Sequence, residues 1–515
     1  MALNKEFFKD IWHKIQKYVG DNKNWFFLIS FLILIAIRIY YFVLTSSQPV
    51  WWDEADYLGI AKTWVGIMDY PVNAIRPVLL PMVISIIYLF GLGEFWVRIF
   101  ILLTSIGGLY FMYRLGKLFF NRIVGTIAMI FLGGFWVFNF YSSRILVDIP
   151  LIFLWLGAIF FFFYGYLKNK SWIYFALAGF FVGLSFLMKF TSFALVFLFA
   201  IYILCTEKLN FIKNKKIWIF ALVSFLVVVP FFLWEFFKFG SLIAFYEISS
   251  AGIITKISFL PSFFGHLMLS LRWAGLVVMI VFFLSLAWIL FNFFLTLKYS
   301  FRKNSDSNKF FFLFVWLILG IGVFAWLFSP VSAEDRYYLI FYPVIFLICA
   351  KGLGDFYSYA KKFSKVLPII LIALLLGIFL FTSLSQADQI INLKKTSFLE
   401  LKQAGLWINE HTMENESFLV TEESAETVYY AERPYNIENH NLANKTDLLN
   451  RIELHAPSYI VLSFYYYLNR NEGGSLEVIE YVFSNPDKFK VVQTYGPNMI
   501  PDGNLPLVVI VEVLD

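Results

Sequence analysis

Long apolar stretches recur along the chain from residue 25 to residue 383, and they limit it to folds that are stable in a lipid bilayer. A helix needs roughly 20 apolar residues to cross the hydrocarbon core. Because 60% of the 515 residues are hydrophobic, a water-soluble fold of this length is excluded. The stretches predict a polytopic α-helical membrane protein with eleven transmembrane helices, at residues 25–45, 95–113, 123–141, 149–167, 172–188, 192–205, 217–237, 273–297, 310–328, 337–350 and 366–383.

Residues 384–515 have a different composition, and we predict that they form a soluble α/β domain. They carry 9 Lys/Arg and 19 Asp/Glu, against 32 and 16 in residues 1–383. Two sequons, headed by Asn415 and Asn444, lie in this region, where glycosylation would require exposure outside the cytoplasm. Hydrophobic periodicity predicts helices at 398–411, 425–432 and 448–454, and strands at 417–421, 459–464, 490–494 and 507–513.

The loop lysines and arginines predict the orientation of the membrane region. With a cytoplasmic N-terminus the inner segments carry 22 Lys/Arg and the outer segments carry 8, as the positive-inside rule requires. The apolar stretch at 78–90 is too short to cross, so we expect a short helix that stays on the outer side. The predicted domains are therefore a cytoplasmic segment (1–24), a transmembrane domain (25–383) with a first outer loop (46–94), and an extracytoplasmic domain (384–515). Residues 1–24 lack the apolar core of a signal peptide, so the first span is expected to remain as an anchor.

Two adjacent acids, Asp53 and Glu54, follow Trp51 and Trp52 in the first outer loop. Tryptophan favours the membrane–water boundary, and ionisable groups at that depth are usually functional. A carboxylate beside a low-dielectric region suits general-base catalysis, or coordination of a cation that bridges phosphates. The structural alternative is that both acids begin a surface helix, whose dipole favours negative charge at its start.

Further charged residues fall on the same predicted face. Arg76 ends the first outer loop, Asp148 follows Arg144 in an Arg-x-x-x-Asp motif, and Lys189 separates the fifth and sixth spans. An arginine or lysine here can bind a phosphate. The alternatives are an interfacial anchor at Arg76, a helix cap or an Arg144 pair at Asp148, and a snorkelling Lys189.

Two outer arginines complete the set. Arg272 precedes the eighth span and is a candidate phosphate ligand, whereas nearby His266 is expected to be an interface residue. Arg336, followed by Tyr337, either pairs with the acids before it or binds an anion. Acids surrounded by cations at one membrane face suit a lipid-linked phosphate: a base deprotonates the acceptor hydroxyl while cations stabilise the departing phosphate.

The same residues leave two other classes of function as alternatives. A transporter or flippase of an anionic lipid would need charges through the midplane and an internal repeat, and the sequence has neither. A non-catalytic subunit that keeps the scaffold is a third alternative. The sequence contains no Cys/His metal spacing, Walker loop or nucleophile elbow. The net charge of +6 comes from loop lysines, so no nucleic acid partner is expected.

In their order, the motifs resemble those of the C-type membrane glycosyltransferases, in particular the protein O-mannosyltransferase and lipid A aminoarabinose transferase group. The motifs are Asp-Glu-x-x-Tyr in the first outer loop, a basic residue before Pro, Arg-x-x-x-Asp-x-Pro, a later Lys and a late Arg-Tyr, between residues 25 and 350. The resemblance implies an inverting enzyme of the membrane. It would take a sugar from a polyprenyl- or dolichyl-phosphate donor and pass it, outside the cytoplasm, to a protein, lipid or glycan.

The resemblance also implies roles for residues. Asp53 matches the essential acid of the family, Glu54 its neighbour and Asp148 the second acid; Arg76 and Lys189 match its basic positions. One departure is Arg-Pro-Val-Leu, where relatives commonly have His or Lys before Pro-Pro-Leu. No cofactor is predicted, and a divalent cation is not expected. We therefore predict catalytic roles for Asp53, Glu54 and Asp148, and substrate binding by Arg76, Lys189, Arg272, Arg336, Tyr57 and Tyr337.

Overall fold

The computed structural model describes residues 24–250, 259–299, 301–302, 305–327, 330, 333–414, 416–420, 425–433, 445–465, 474–496 and 507–514. Residues 1–23 of the predicted cytoplasmic segment and the sequon residues Asn415 and Asn444 lie outside this set. The structural statements below concern the described residues.

Helices make up the described chain as far as Lys394. In order they are α1 (Trp25–Thr45), α2 (Trp52–Trp64), α3 (Leu79–Leu89), α4 (Glu94–Phe119), α5 (Arg122–Gly134), α6 (Trp136–Tyr141), α7 (Asp148–Leu167), α8 (Trp172–Met188), α9 (Phe193–Glu207), α10 (Lys215–Phe239), α11 (Ala244–Ser250), α12 (Phe259–Ala274), α13 (Leu276–Leu295), α14 (Asp306–Leu327), α15 (Tyr342–Ala360) and α16 (Leu367–Lys394). Short 3-10 turns include Phe190–Ser192, before α9, and Asp335–Ile340, before α15.

Eight helical stretches of the described chain are long and apolar enough to cross a membrane. They are Trp25–Thr45, Glu94–Phe119, Asp148–Leu167, Phe190–Lys213, Lys215–Phe239, Leu276–Leu295, Asp306–Leu327 and Leu367–His411. The protein is therefore a polytopic membrane protein, and the number of eleven spans stays a prediction. The stretch at 78–90 forms α3, whose 11 residues are too few to cross. Gly91 follows it with φ of 69°, a left-handed conformation that glycine adopts without strain.

The span predicted at 123–141 is interrupted. After α5 the backbone turns extended at Phe135, with ψ of 125°, before α6 begins. The freed carbonyl of Gly133 accepts hydrogen bonds from Arg38 Nη2 (2.9 Å) and Asn139 Nδ2 (3.1 Å). The freed amide of Trp136 donates to Ser383 Oγ at 2.9 Å. Backbone groups freed by a break in an apolar region must find partners inside the protein, and these polar side chains supply them.

The chain divides into two compact units. The helical unit comprises Met1–Leu44, Pro77–Leu79 and Arg98–Ile391. The mixed unit comprises Thr45–Arg76, Leu80–Val97 and Asn392–Asp515, so it joins most of the first predicted loop to the C-terminal region.

Close helix contacts in the helical unit depend on small residues. A Cβ at Gly179 of α8 would lie 2.3 Å from the carbonyl oxygen of Phe220 in α10, and one at Gly183 would lie 2.6 Å from Val227 Cβ. The two helices therefore approach backbone to backbone, as small residues allow in membranes. The neighbouring helix α7 is mainly buried within this unit.

The C-terminal region contains four strands and four helices among its described residues, in the order α17 (Leu399–His411), β1 (Phe418–Val420), α18 (Ala425–Ala431), α19 (Lys445–His455), β2 (Tyr459–Ser463), α20 (Gly474–Ser484), β3 (Phe489–Tyr495) and β4 (Val508–Val513). The sheet order is β1-β2-β4-β3; β1 and β2 are parallel, and the other pairs are antiparallel. Helix α20 was not predicted, whereas the predicted strands each overlap an observed one.

Both faces of this sheet carry a core, because successive strand residues point to opposite sides. Leu419, Ile460 and Val509 pack on one face with α19 and α20. The other face carries Val461 and Ile510 with the following partners from α17, α18 and the first loop: Leu401, Ala404, Val428, Ile60 and Tyr70. The first loop is thus part of the hydrophobic core of the mixed unit.

Candidate active site

Helix α2 holds the first pair of predicted acids in the mixed unit. The carboxylate of Glu54 accepts the backbone amide of Trp51 at 2.7 Å, which satisfies a donor that a helix start leaves unpaired. Glu54 is fully buried, while the side chain of Asp53 keeps 23% of its surface exposed. The structure therefore gives Glu54 a capping contact and leaves Asp53 as the acid that a substrate can reach.

Arg76 clamps two carboxylates of α2. Its Nη1 lies 2.7 Å from Asp53 Oδ1, and its Nη2 lies 2.5 Å from Asp56 Oδ2, which also accepts from Nε at 2.8 Å. The guanidinium lies over the ring of Tyr57, 5.6 Å from its centroid, and Tyr70 donates to Asp56 from the other side. In the structure Arg76 contacts both acids, and its predicted binding of substrate phosphate stays a prediction. Asp56 is a member of the cluster that the sequence analysis did not single out.

The charge on Arg76 is secure in this setting. Burial alone would lower its pKa, but Tyr57, Asp56 and Asp53 outweigh that effect and raise it. The arginine therefore stays protonated at every physiological pH.

A second pair lies in the helical unit, where Lys189 Nζ is 2.7 Å from Asp148 Oδ1. Asp148 is the first residue of α7. Proline has no backbone amide to donate, and amides in the first turn of a helix have no intrahelical acceptor, so Pro150 suits this position. Lys189 lies between the end of α8 and the 3-10 turn that precedes α9. The side chain of Asp148 is only 3% exposed, against 18% for Lys189, so the lysine is the partner that solvent or a ligand can reach.

The segment before α15 adds an aromatic ring and a second cation to this pair. Lys189 Nζ lies 5.0 Å and Arg336 Cζ 5.5 Å from the ring centroid of Tyr337. Arg336 Nε is 2.6 Å from Glu334 Oε2, so the predicted pairing of this arginine with a neighbouring acid is observed. Lys189, Arg336 and Tyr337 are thus brought together in the helical unit.

Asp335 is a further acid beside this group. It accepts a hydrogen bond from Tyr141 at 2.7 Å. Burial raises the pKa of Asp335, an effect that the Tyr141 hydrogen bond only partly offsets. Asp335 could not be distinguished from Glu334 by pattern alone, because the buried partner of Asp335, Tyr141, is distant in the chain.

Two residues predicted to lie on the outer face, Arg272 and His266, belong neither to the Asp53–Arg76 cluster nor to the group around Lys189. Arg272, at the end of α12, is exposed, and among the described residues it forms no ion pair. His266 is buried and shares a hydrogen bond with Tyr338, as expected of an interface residue. No group of three His, Cys, Asp or Glu side chains in the described part of the chain is arranged to hold a metal ion.

Comparison with known proteins gives this arrangement a context. Residues 76–234 match the family model described as dolichyl-phosphate-mannose-protein mannosyltransferase, a stretch that contains Arg76, Asp148 and Lys189. The fold is similar to that of ArnT from Cupriavidus metallidurans, with a TM-score of 0.64 in the apo state, 12% identity, and 93% of this chain and 97% of that chain covered. The chain has the fold of the C-type membrane glycosyltransferases. The family match agrees with that fold, so the resemblance drawn from the motifs is confirmed, and the protein is a glycosyltransferase.

Other solved structures share the glycosyltransferase fold. The Archaeoglobus fulgidus oligosaccharyltransferase AglB, in complex with an inhibitory peptide and a dolichol-phosphate, has a TM-score of 0.60 and 12% identity, and the match covers 87% of this chain and 70% of that chain. The arabinofuranosyltransferase AftD from Mycobacteria has a TM-score of 0.56 and 12% identity, with 95% of this chain and 40% of that chain covered. A search of curated protein sequences found no match.

Proposed function

We propose that this glycosyltransferase transfers a sugar from a polyprenyl- or dolichyl-phosphate donor to an acceptor on the extracytoplasmic side, with inversion. The support for the donor is twofold. The family model is described by a dolichyl-phosphate-linked sugar, and the fold is shared with ArnT bound to undecaprenyl phosphate, at a TM-score of 0.60 and 13% identity. The observation that carries the assignment is the partly exposed carboxylate of Asp53, oriented by Arg76 at the start of α2.

In the proposed reaction Asp53 is the general base. It accepts the proton of the acceptor group as the acceptor atom forms a bond to the anomeric carbon of the sugar. The bond from that carbon to the phosphate oxygen breaks, and the lipid phosphate leaves with the electron pair. Attack opposite to the leaving group inverts the anomeric centre. We assign Lys189 and Arg336 to the binding of the phosphate, because cations stabilise the charge that develops on it.

Asp148 would then act through Lys189. A buried carboxylate 2.7 Å from the ammonium fixes its position. Glu54 would position α2. The ring face of Tyr57 would support Arg76, and the ring face of Tyr337 would support Lys189. Arg272, which is exposed and makes no ion pair with the described residues, is left as a substrate-binding prediction without structural support.

The mixed unit joins the first loop to the C-terminal region, which supports the proposal that both lie outside the cytoplasm. Because α2, α3 and the C-terminal sheet pack in one unit, they must lie on one side of the bilayer. Seven of the eight long apolar helices of the described chain follow α3. If only these seven crossed the membrane, the odd number of crossings would place the first loop and the C-terminal sheet on opposite sides. An odd number of the shorter segments around α5, α8 and α15 must therefore also cross. Crossing by all three gives the predicted eleven, with the mixed unit outside.

The test compares Asp53→Asn with Asp69→Asn. Asp69 is an exposed acid of the same loop and serves as the matched control. Purified protein is incubated with labelled polyprenyl-phosphate sugars, and the released lipid phosphate is measured. Wild type and Asp69→Asn are expected to release it, and Asp53→Asn to lose roughly 100- to 10,000-fold in rate, the usual contribution of a general base. Full activity of Asp53→Asn would remove the acid from this role.

A further inference from the structure

Helix α18 lies along α2 in the mixed unit and is fixed to it at several points. Lys62, in the last turn of α2, donates to the carbonyl of Tyr429 at 3.1 Å and forms an ion pair with Glu432. Near the start of α2, the amide of Val50 donates to the hydroxyl of Tyr430 at 3.1 Å. These contacts fix α18 along the helix that carries Asp53.

Glu426, in the first turn of α18, is a buried acid that the proposed mechanism does not use. It is 1% exposed, and neither carboxyl oxygen has a hydrogen-bond partner in another described residue. A buried polar group without a partner destabilises a fold. Such a group calls for an explanation, and functional sites are where proteins commonly tolerate this cost.

The charges around Glu426 are mainly negative. Asp56, Glu54 and Asp53 act on it from α2, and together with burial they raise the pKa of Glu426 to about 8. Tyr465, which donates to Glu400 of α17, is the other titratable group coupled to it. Three cations of this region in the described chain are already engaged: Arg76 by Asp53 and Asp56, Lys62 by Glu432, and Lys402 by the carbonyl of Ser47 and the ring of Tyr430.

We propose that Glu426 is a positioning residue of the Asp53 site and that it works as a neutral carboxylic acid. In that form it adds no negative charge beside Asp53 and Asp56, the two acids that Arg76 holds. Its ionisation would add a further negative charge beside them, disturb the Asp53–Arg76 pair and weaken the predicted binding of a substrate phosphate by Arg76. The identity of that substrate rests on the function proposed above.

The test measures binding of undecaprenyl phosphate to the full-length protein across a pH series that brackets pH 8. Wild-type affinity is expected to fall on the order of tenfold over one to two pH units, because like charges brought together cost several kcal/mol when poorly screened. Glu426→Gln, which is permanently neutral, is expected to keep its affinity. Ionisation of the lipid phosphate affects both proteins equally, so the comparison cancels it. Glu410→Gln, an exposed substitution on α17, is the matched control and should follow wild type.

Infrared difference spectroscopy adds a readout that does not need substrate. Wild type is expected to show the C=O band of a protonated carboxyl at neutral pH, which disappears through pH 8 and is missing in Glu426→Gln. An unchanged band in that variant, or the same alkaline loss of affinity as wild type, overturns the proposal. Glu426→Met, which is also uncharged and similar in length, should likewise keep its affinity; it serves if the glutamine variant does not fold. Failure of wild type to bind undecaprenyl phosphate at any pH would instead count against the proposed function.

Discussion

The guanidinium of Arg76 lies 2.7 Å from the carboxylate of Asp53, although the two residues stand at opposite ends of one loop. The acid proposed as the base is therefore held in an ion pair whose cation also binds Asp56. The pair fixes the direction of the carboxylate oxygens of Asp53. An acceptor must approach the part of the carboxylate that stays exposed.

Arg76→Lys tests this arrangement, because an ammonium keeps the charge but cannot reach both acids as a planar fork does. We expect kcat for sugar transfer to fall about tenfold to a hundredfold, which corresponds to the loss of one charge-assisted hydrogen bond of about 1.5–3 kcal/mol. Arg451→Lys, which alters an Arg–Asp pair on α19 of the same unit, is the control and should leave kcat unchanged. Equal rates for the two variants would refute the positioning role of Arg76.

The Asp148–Lys189 pair predicts a separation of stability from activity. Lys189→Met leaves a carboxylate that is 3% exposed without its ion-pair partner, and loss of one member of a buried pair costs about 3–5 kcal/mol. The double variant Lys189→Met/Asp148→Leu removes the stranded charge, so its unfolding temperature in detergent should recover while sugar transfer stays lost. Lys238→Met, an exposed lysine at the end of α10, is the control. Recovery of activity together with stability would show that the pair is only structural.

The strands of the C-terminal region and the order of the site motifs could be predicted because both depend on local pattern. Alternation of apolar residues marks β2 and β4, and the predicted bounds differ from the observed ones by one residue at an end. Asp53, Arg76, Asp148 and Lys189 stood out because each is a charge beside an apolar stretch. The cluster of predicted substrate-binding residues around Tyr337 follows from the same reasoning.

Contacts between distant residues could not be predicted in the same way. Hydropathy across residues 123–141 is continuous, so the break at Phe135 leaves no mark, and its compensating partners Arg38 and Ser383 are far away in the chain. The partnership of Asp56 with Arg76 and Tyr70 depends on how the loop folds back. Glu426 resembles any other acid of the C-terminal region until its burial against α2 is known.

The interrupted helix gives a prediction about stability. Asn139→Leu removes the amide that donates to the carbonyls of Gly133 (3.1 Å) and Phe135 (2.8 Å). We expect the free energy of unfolding to fall by about 1–3 kcal/mol, because the buried Nη1 of Arg38 also loses its acceptor, Asn139 Oδ1. Asn292→Leu, whose amide donates to Trp288 O within an unbroken helix near its exposed surface, should change stability by less than about 1 kcal/mol. Thermal unfolding in detergent measures both, and equal effects would contradict the special role of the break.

Glu426 predicts how stability depends on pH. Its pKa is raised by burial from 4.5 to about 8, so between these values the unfolded chain releases a proton that the folded protein retains. Stability is therefore lost as pH rises through this window, by up to about 1.4 kcal/mol per pH unit for this one group. Glu426→Gln removes the dependence, and its unfolding temperature should exceed that of wild type increasingly from pH 5 to pH 8. A constant difference across that range would show that Glu426 is ionised in the folded protein.

Membrane sidedness can be tested by cysteine labelling in a variant that lacks Cys205 and Cys349. The exposed residues Asp69 and Glu410 both belong to the mixed unit, so cysteines at these positions should react with an impermeant reagent from the same side. By the positive-inside rule that side is the outer one. A cysteine at Lys215, before α10, should react only after permeabilisation. Labelling of positions 69 and 410 from opposite sides would contradict the shared unit itself. Labelling of both from inside, with position 215 outside, would reverse the topology and place Asp53 on the cytoplasmic face.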